Sequence, residues 1–269
     1  MAKKIVAISG YSCCALDGSI KNDMKDAIKE TFPMDKEIVC LTGKSNPNFL
    51  LLAHAQPLEK QEEYFIAMKK IYSEIFNCNC KILRSDELID KDYVQQMIDW
   101  ADIIYEGGGN TLEMIKIWKD TGFDKILEKA WNSEKVMCGL SAGANCWFSE
   151  CITDALRIKY GPDQPLISME CLQFQKGFLV AHCDEEERHE DAKELLKNKD
   201  SIAILLSNCT AIEIIDDKYR IITSKASYFK QPYAMKLYCE NGKYIDEQLD
   251  LSSEFKSLDN LYTKKKAML

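Results

Sequence analysis

The stretch Lys135-Val136-Met137-Cys138-Gly139-Leu140-Ser141-Ala142-Gly143-Ala144-Asn145 decides how this chain is read. An apolar run leads into a turn of small residues, and a helical pattern follows. That order reads as a strand, a sharp corner and the start of a helix. A serine hydroxyl is a poor nucleophile until such a corner lifts it out of the sheet and aims backbone N–H groups at the reacting oxygen. Glycines flank the corner because side chains there would collide with the strand, the helix or a substrate. Gly-x-Ser-x-Gly also fits an ordinary tight turn in any α/β domain, so the surroundings must decide between the two.

Working outward, strands alternate with helices through the first half. Residues 5–9 form an apolar strand ending at Gly10, and residues 17–31 carry a helical pattern. A second strand spans 48–53 and ends near His54. Residues 61–76 have helical spacing, with Tyr64, Phe65, Met68, Ile71, Tyr72 and Ile75 on one face. A short strand at 80–83 and a helix at 92–101 precede the strand 102–106, which runs into Gly107-Gly108-Gly109-Asn110-Thr111. Helices at 112–118 and 123–132 lead back to the strand before Ser141. The alternation predicts an α/β protein in three layers, a mostly parallel sheet with helices on both faces. In such sheets the functional loops lie at the carboxyl ends of the strands. Ser9-Gly10, His54, the triple glycine and Ser141 all fall at such ends.

In the second half, a strand at 178–180 ends at Ala181-His182, and residues 186–196 are helical. Strands at 202–206, 211–215 and 219–223 read as a meander closing one edge of the sheet. No linker, repeat or low-complexity segment interrupts the chain, which predicts a single domain over 1–269.

Composition narrows the function. The net charge of −8 argues against nucleic acid as the main partner. No apolar run reaches the roughly 18 residues of a membrane span, and residues 5–9 are too short for a signal sequence, so a cytosolic protein with no membrane partner is expected. The twelve cysteines include no Cys-x-x-Cys pair; Cys13-Cys14 and Cys78-x-Cys80 do not suit a tetrahedral zinc site. They read as reduced thiols packed as small hydrophobes, with Cys146 and Cys183 close to the candidate site. Neither a metal nor a cofactor is called for.

A serine nucleophile needs a base, and the chain has three histidines. His189 lies in a charged helix and reads as solvated. His54 reads as a strand-end residue satisfying local backbone groups. His182, at a strand end and followed by Cys183-Asp184-Glu185-Glu186-Glu187-Arg188, is the better base.

Three segments together carry a resemblance: Tyr105-Glu106-Gly107-Gly108-Gly109-Asn110-Thr111, then Cys138 to Asn145, then Val180-Ala181-His182-Cys183-Asp184. Over residues 3–225 the chain resembles the aspartyl dipeptidase (peptidase E) family of serine peptidases and its cyanophycinase relatives, which have a class I glutamine amidotransferase-like fold. The resemblance implies Ser141 as nucleophile, His182 as general base, and the N–H groups of Gly109 and Ala142 as the oxyanion hole. It implies a small peptide substrate, a dipeptide or short peptide with N-terminal Asp, and by analogy alone a homodimer. Arg188 and Asn110 are then candidate substrate contacts, and Arg157, Lys159 and Tyr160 candidates for a pocket rim. A cyanophycinase-like preference would instead use the acidic run 184–187 for a guanidinium. The acid that orients His182 is where the match weakens: the position that aligns best is near Asn208, which carries no charge. Asp184 ranks first, then Asp154, then Asn208, with Glu213 weaker. A carboxylate within hydrogen-bond reach of His182 favours an enzyme, a peptidase or a related amidase or esterase. Asn208 alone, or nothing, favours a weak or non-catalytic homologue with a binding role.

Overall fold

The computed structural model describes residues 2–11, 24–185, 188–197, 199–225 and 231–264. Fourteen strands are β1 (Lys4–Ile8), β2 (Asn48–Leu51), β3 (Asn79–Ile82), β4 (Ile103–Glu106), β5 (Val136–Leu140), β6 (Phe148–Thr153), β7 (Ile167–Glu170), β8 (Gln175–Val180), β9 (Ile202–Leu206), β10 (Thr210–Ile215), β11 (Lys218–Thr223), β12 (Ala234–Glu240), β13 (Lys243–Gln248) and β14 (Lys256–Ser257). The α-helices are α1 (Met24–Cys40), α2 (Leu58–Lys69), α3 (Lys91–Trp100), α4 (Thr111–Thr121), α5 (Phe123–Trp131), α6 (Ala142–Asn145), α7 (Ala155–Tyr160), α8 (Arg188–Leu196) and α9 (Leu258–Tyr262). A π-helical turn, Lys70–Ile75, continues α2.

The fold is α/β, with two sheets rather than the one expected. The first has the order β14-β11-β10-β1-β5-β4-β2-β3, parallel from β1 to β3. The second has the order β13-β12-β9-β8-β6-β7, with β6, β8 and β9 parallel. The expected meander is therefore split. β10 and β11 close the edge of the first sheet beside β1, while β9 pairs with β8 and β12 in the second. All five residues of β9, Ile202 to Leu206, are buried, and the strand lies inside the second sheet between β8 and β12.

Strand alternation sorts the core. Ile5 and Ala7 of β1 join the side packed by α3, α4, α5 and the second sheet. Val6 and Ile8 join the side packed by α1 and by α2 with its π-turn, through Met34, Ile38, Ile71 and Tyr72. The outer face of the second sheet buries Phe178, Val180, Ala203 and Leu205 under α8. Trp118 of α4 and Trp147, just before β6, stack in the first of these cores, with ring centroids 6.3 Å apart.

Individual elements differ from expectation at their ends. Of the helix expected over 17–31, residues 17–23 lie outside the described residues; α1 runs from Met24 through Pro33 to Cys40, because Met34 and Ile38 keep its apolar face on the core. Asn110 caps α4 by accepting the Glu113 N–H, and Gly122 ends it in the left-handed region at φ 70°. No helix among the described residues is long and apolar enough to cross a membrane.

Candidate active site

Ser141 lies between β5 and α6 with φ 57° and ψ −109°. A non-glycine residue rarely occupies that region, and such strain persists only where the surroundings enforce it. Here the Ser141 N–H is held by the Ile8 carbonyl at 2.9 Å, and the Gly143 N–H by the Gly107 carbonyl at 3.1 Å. A side chain at Gly143 would run into the Glu106 carbonyl, its Cβ only 2.6 Å from the carbonyl carbon. The corner is thus wedged against the end of β4. The helix after it is a single turn, Ala142–Asn145, so the corner offers the Ala142 N–H rather than a macrodipole.

His182 follows β8 and is also left-handed, at φ 55°. Its Nε2 is 2.9 Å from Ser141 Oγ. Ser9 holds the backbone in place: its Oγ accepts the His182 N–H at 2.7 Å and donates to the Leu206 carbonyl at 2.8 Å. Gly10 leaves space for the imidazole. A Cβ there would sit 2.5 Å from Asn208 Oδ1 and 2.6 Å from His182 Nδ1.

Nδ1 of His182 faces two acceptors, Asn208 Oδ1 at 2.8 Å and Glu185 Oε1 at 3.2 Å. The Asn208 amide is fixed because its Nδ2 donates to Glu185 Oε1 at 2.6 Å, and a carboxylate only accepts. Two acceptors at Nδ1 place the proton there and leave Nε2 free to accept from Ser141. Burial works to raise the Glu185 carboxyl, but the hydrogen bond and charge of His182, with Asn208 and Arg188, outweigh it and hold it below the usual range.

The first-ranked acid, Asp184, does not meet the imidazole. Its Oδ1 accepts the backbone N–H of Asn208 at 2.7 Å, and burial raises its carboxyl against that bond. Asp154 instead pairs with Arg188 at 2.9 Å. Glu213, the weaker candidate, is buried on β10 and bonded to Arg220 at 2.5 Å. Glu185 escaped the sequence reading because it lies in the run 184–187, which resembles a solvated helix start. Its signal was its place three residues after His182, where the turn made by Glu185 N–H to the His182 carbonyl (3.0 Å) brings the side chain back over the ring.

Gly109 has φ +142°, and neither its N–H nor that of Ala142 has an internal partner among the described residues. Asn110 is fully used within the fold: besides capping α4, its Nδ2 donates to the Ala155 carbonyl at 3.0 Å. Arg188 is buried, and its Nε has no partner among the described residues. Arg157 Nε bonds the Gln164 carbonyl at 2.7 Å, Lys159 pairs with Glu113 at 2.5 Å, and Tyr160 is exposed.

The other histidines lie elsewhere. His54 is buried, with Nε2 donating to the Leu83 carbonyl at 2.7 Å and Nδ1 accepting from Trp118 Nε1 at 2.8 Å; burial lowers it to about 4. His189, expected to be solvated, lies 2.7 Å from Asp246. Neither neighbouring thiol is activated: burial pushes Cys183 up to about 12 and Cys146 well above its ordinary value.

The peptidase family S51 model matches residues 21–222. The chain belongs to peptidase family S51. It is 41% identical over 99 residues to the uncharacterized peptidase YgaJ of Bacillus subtilis (strain 168), a match spanning 36% of this chain and 40% of that relative. Its fold is that of a peptidase from an acI-B1 Actinobacterium, with a TM-score of 0.67 at 16% identity over 96% of this chain and 97% of the other. A Listeria monocytogenes EGD-e protein whose name refers to peptidase E has a TM-score of 0.60 at 17% identity, covering 84% of this chain and all (100%) of that one. Membership of the family supports a peptidase function.

Proposed function

We propose that the chain is a serine peptidase hydrolysing dipeptides or short peptides through an acyl-enzyme on Ser141. The observation that carries this reading is the 2.9 Å contact between Ser141 Oγ and His182 Nε2, with the proton directed to Nδ1. His182 takes the hydroxyl proton as Oγ attacks the carbonyl carbon, and returns it to the leaving amine. Water, activated by the same imidazole, then releases the acyl group. Gly109 and Ala142 supply the N–H donors for the oxyanion. Glu185 is the carboxylate that stabilises the imidazolium, and Asn208 holds its orientation. Asp184 acts one step further out, on the Asn208 backbone. Arg188 is the candidate cation for an N-terminal aspartate, although Asp154 already occupies one of its amino groups.

The test is labelling with a serine-directed fluorophosphonate followed by peptide mapping. Modification of Ser141 that is lost in Ser141→Ala supports the reading. A folded protein that stays unlabelled while hydrolysing peptides would overturn it.

A further inference from the structure

A cavity of about 280 Å³ lies between α1, α2 and the carboxyl ends of β4 and β5. Its wall is chiefly Tyr11, Tyr64, Met68, Ile71, Tyr105 and Leu140. An apolar cavity of about 150 Å³ accepts a benzene ring, so this space takes a phenylalanine-sized side chain. One wall residue is the chain neighbour of the proposed nucleophile. Leu140 immediately precedes Ser141, and a Cβ on Gly108 would stand 3.5 Å from both Leu140 Cδ2 and Ser141 Cβ. Two wall residues also hold the Gly108 peptide: Tyr64 Oη accepts its N–H at 3.2 Å, and Gln56 Nε2 donates to its carbonyl at 2.6 Å.

The polar groups of the cavity are already committed or peripheral. Asp35 is 2% exposed and bonded to the Tyr72 hydroxyl at 2.8 Å, and burial pushes its carboxyl up to about 6. Lys60 and Glu63 are exposed at the rim and oppose each other in charge. An aspartate side chain inside would lose water and face Asp35 without a buried cation, at a cost no apolar side chain meets.

We propose that this cavity is a specificity pocket for a large apolar side chain, of Leu, Met or Phe size, on a residue adjoining the scissile bond. The inference rests on the assignment of Ser141 as nucleophile. Occupancy presses on Tyr64, which holds Gly108 next to the oxyanion donor Gly109, so a fitting side chain acts on kcat as well as KM.

The experiment is a panel of short peptides in which the residue on either side of the cleaved bond is Ala, Asp, Leu, Met or Phe, assayed with wild type and Ala67→Phe. Ala67 lines the cavity from α2 and touches no proposed catalytic group. At one of the two positions, large apolar residues should exceed Ala and Asp by roughly 10-fold or more in kcat/KM. Ala67→Phe should abolish that preference, bringing the large apolar peptides down to the level of the Ala peptide. Met68→Ala, which enlarges the cavity, should move the optimum from Leu toward Phe, and it serves if the first variant does not fold. Equal rates across the panel, no preference for large apolar residues at either position, or a uniform loss in the variants would overturn the pocket while Ser141 still labels with fluorophosphonate. Absence of both labelling and hydrolysis would instead remove the nucleophile assignment on which it rests.

Discussion

Replacing Glu185 by Gln tests how the site activates His182. In the proposed mechanism the imidazolium forms as the serine proton is transferred, so its attraction to Glu185 is an interaction gained at the transition state. At the observed 3.2 Å, two unit charges attract by about 5 kcal/mol for an effective dielectric of about 20. The side chains retain 17% and 19% exposure, and a neutral amide keeps part of the hydrogen bond, so about 2–3 kcal/mol should be lost. That corresponds to about 30- to 150-fold in kcat with KM little changed. The loss stays below the roughly 10⁴ seen where replacing the acid also reverses the tautomer, because Asn208 Oδ1 still accepts from Nδ1 at 2.8 Å. Steady-state kinetics on the best peptide of the panel would give the split, and the rate of fluorophosphonate labelling would report the same loss without depending on substrate. A Glu185→Gln enzyme within 3-fold of wild type in both would refute the electrostatic role assigned to this residue.

Gly10→Ala should leave a folded protein with kcat reduced by about 100-fold or more, because the added methyl must displace His182 or Asn208; melting temperature and labelling rate together check this. Glu106 is buried, and burial raises it from 4.5 to about 8 against three backbone N–H bonds, from Ala55, His54 and Gly107. Its folded form therefore holds a proton that the unfolded chain has released, so its contribution is complete below pH 4.5 and is lost as pH rises through 8. His54, lowered from 6.5 to about 4, has the opposite sign and is finished by pH 6.5. Between pH 6.5 and 8 the unfolding free energy should then fall by about 2 kcal/mol, and Glu106→Gln should flatten that slope in urea titrations. His54→Phe should cost about 2–3 kcal/mol in urea unfolding, since it strands the Trp118 N–H and the Leu83 carbonyl.

Much of the first half was legible because each element announces itself locally. Ile5 to Ile8 and Ile103 to Glu106 are apolar runs ended by glycine, and the strand–turn–helix reading around Ser141 needed no distant contact. His182 was legible for the same reason, at the end of a strand. Legibility failed where pairing is non-local. β9 and β10 are separated by Ser207-Asn208-Cys209 and look like neighbours in a meander, yet they pair in different sheets. Register and partner choice over such distances depend on which faces find cover, and a period-two pattern does not specify that. The third partner of His182 failed for a related reason. Asp184 and Glu185 are adjacent acids in one charged run, and only the left-handed turn at His182, φ 55°, sends one to the Asn208 N–H and the other to the ring.

The split between sheets also explains why the candidate site lies where it does. Ser141 ends β5 in the first sheet, and His182 ends β8 in the second. Asn208 lies on the crossing from β9 to β10, where the chain passes from one sheet to the other. Ser9 and Gly10, beyond β1, close the junction: Ser9 Oγ binds both the His182 N–H and the Leu206 carbonyl, and the Gly10 carbonyl accepts the Cys209 N–H at 2.8 Å. The distance between Ser141 and His182 is therefore set by how the sheets meet rather than by either loop alone. Cores pack too densely to deform smoothly, so substitutions in the core that includes Trp118 and Trp147 and residues of both sheets should be felt at Ser141 and His182 as well as in stability. A site assembled from the ends of two independently paired sheets needs small residues and short polar links at the joint, and Ser9-Gly10 provides both.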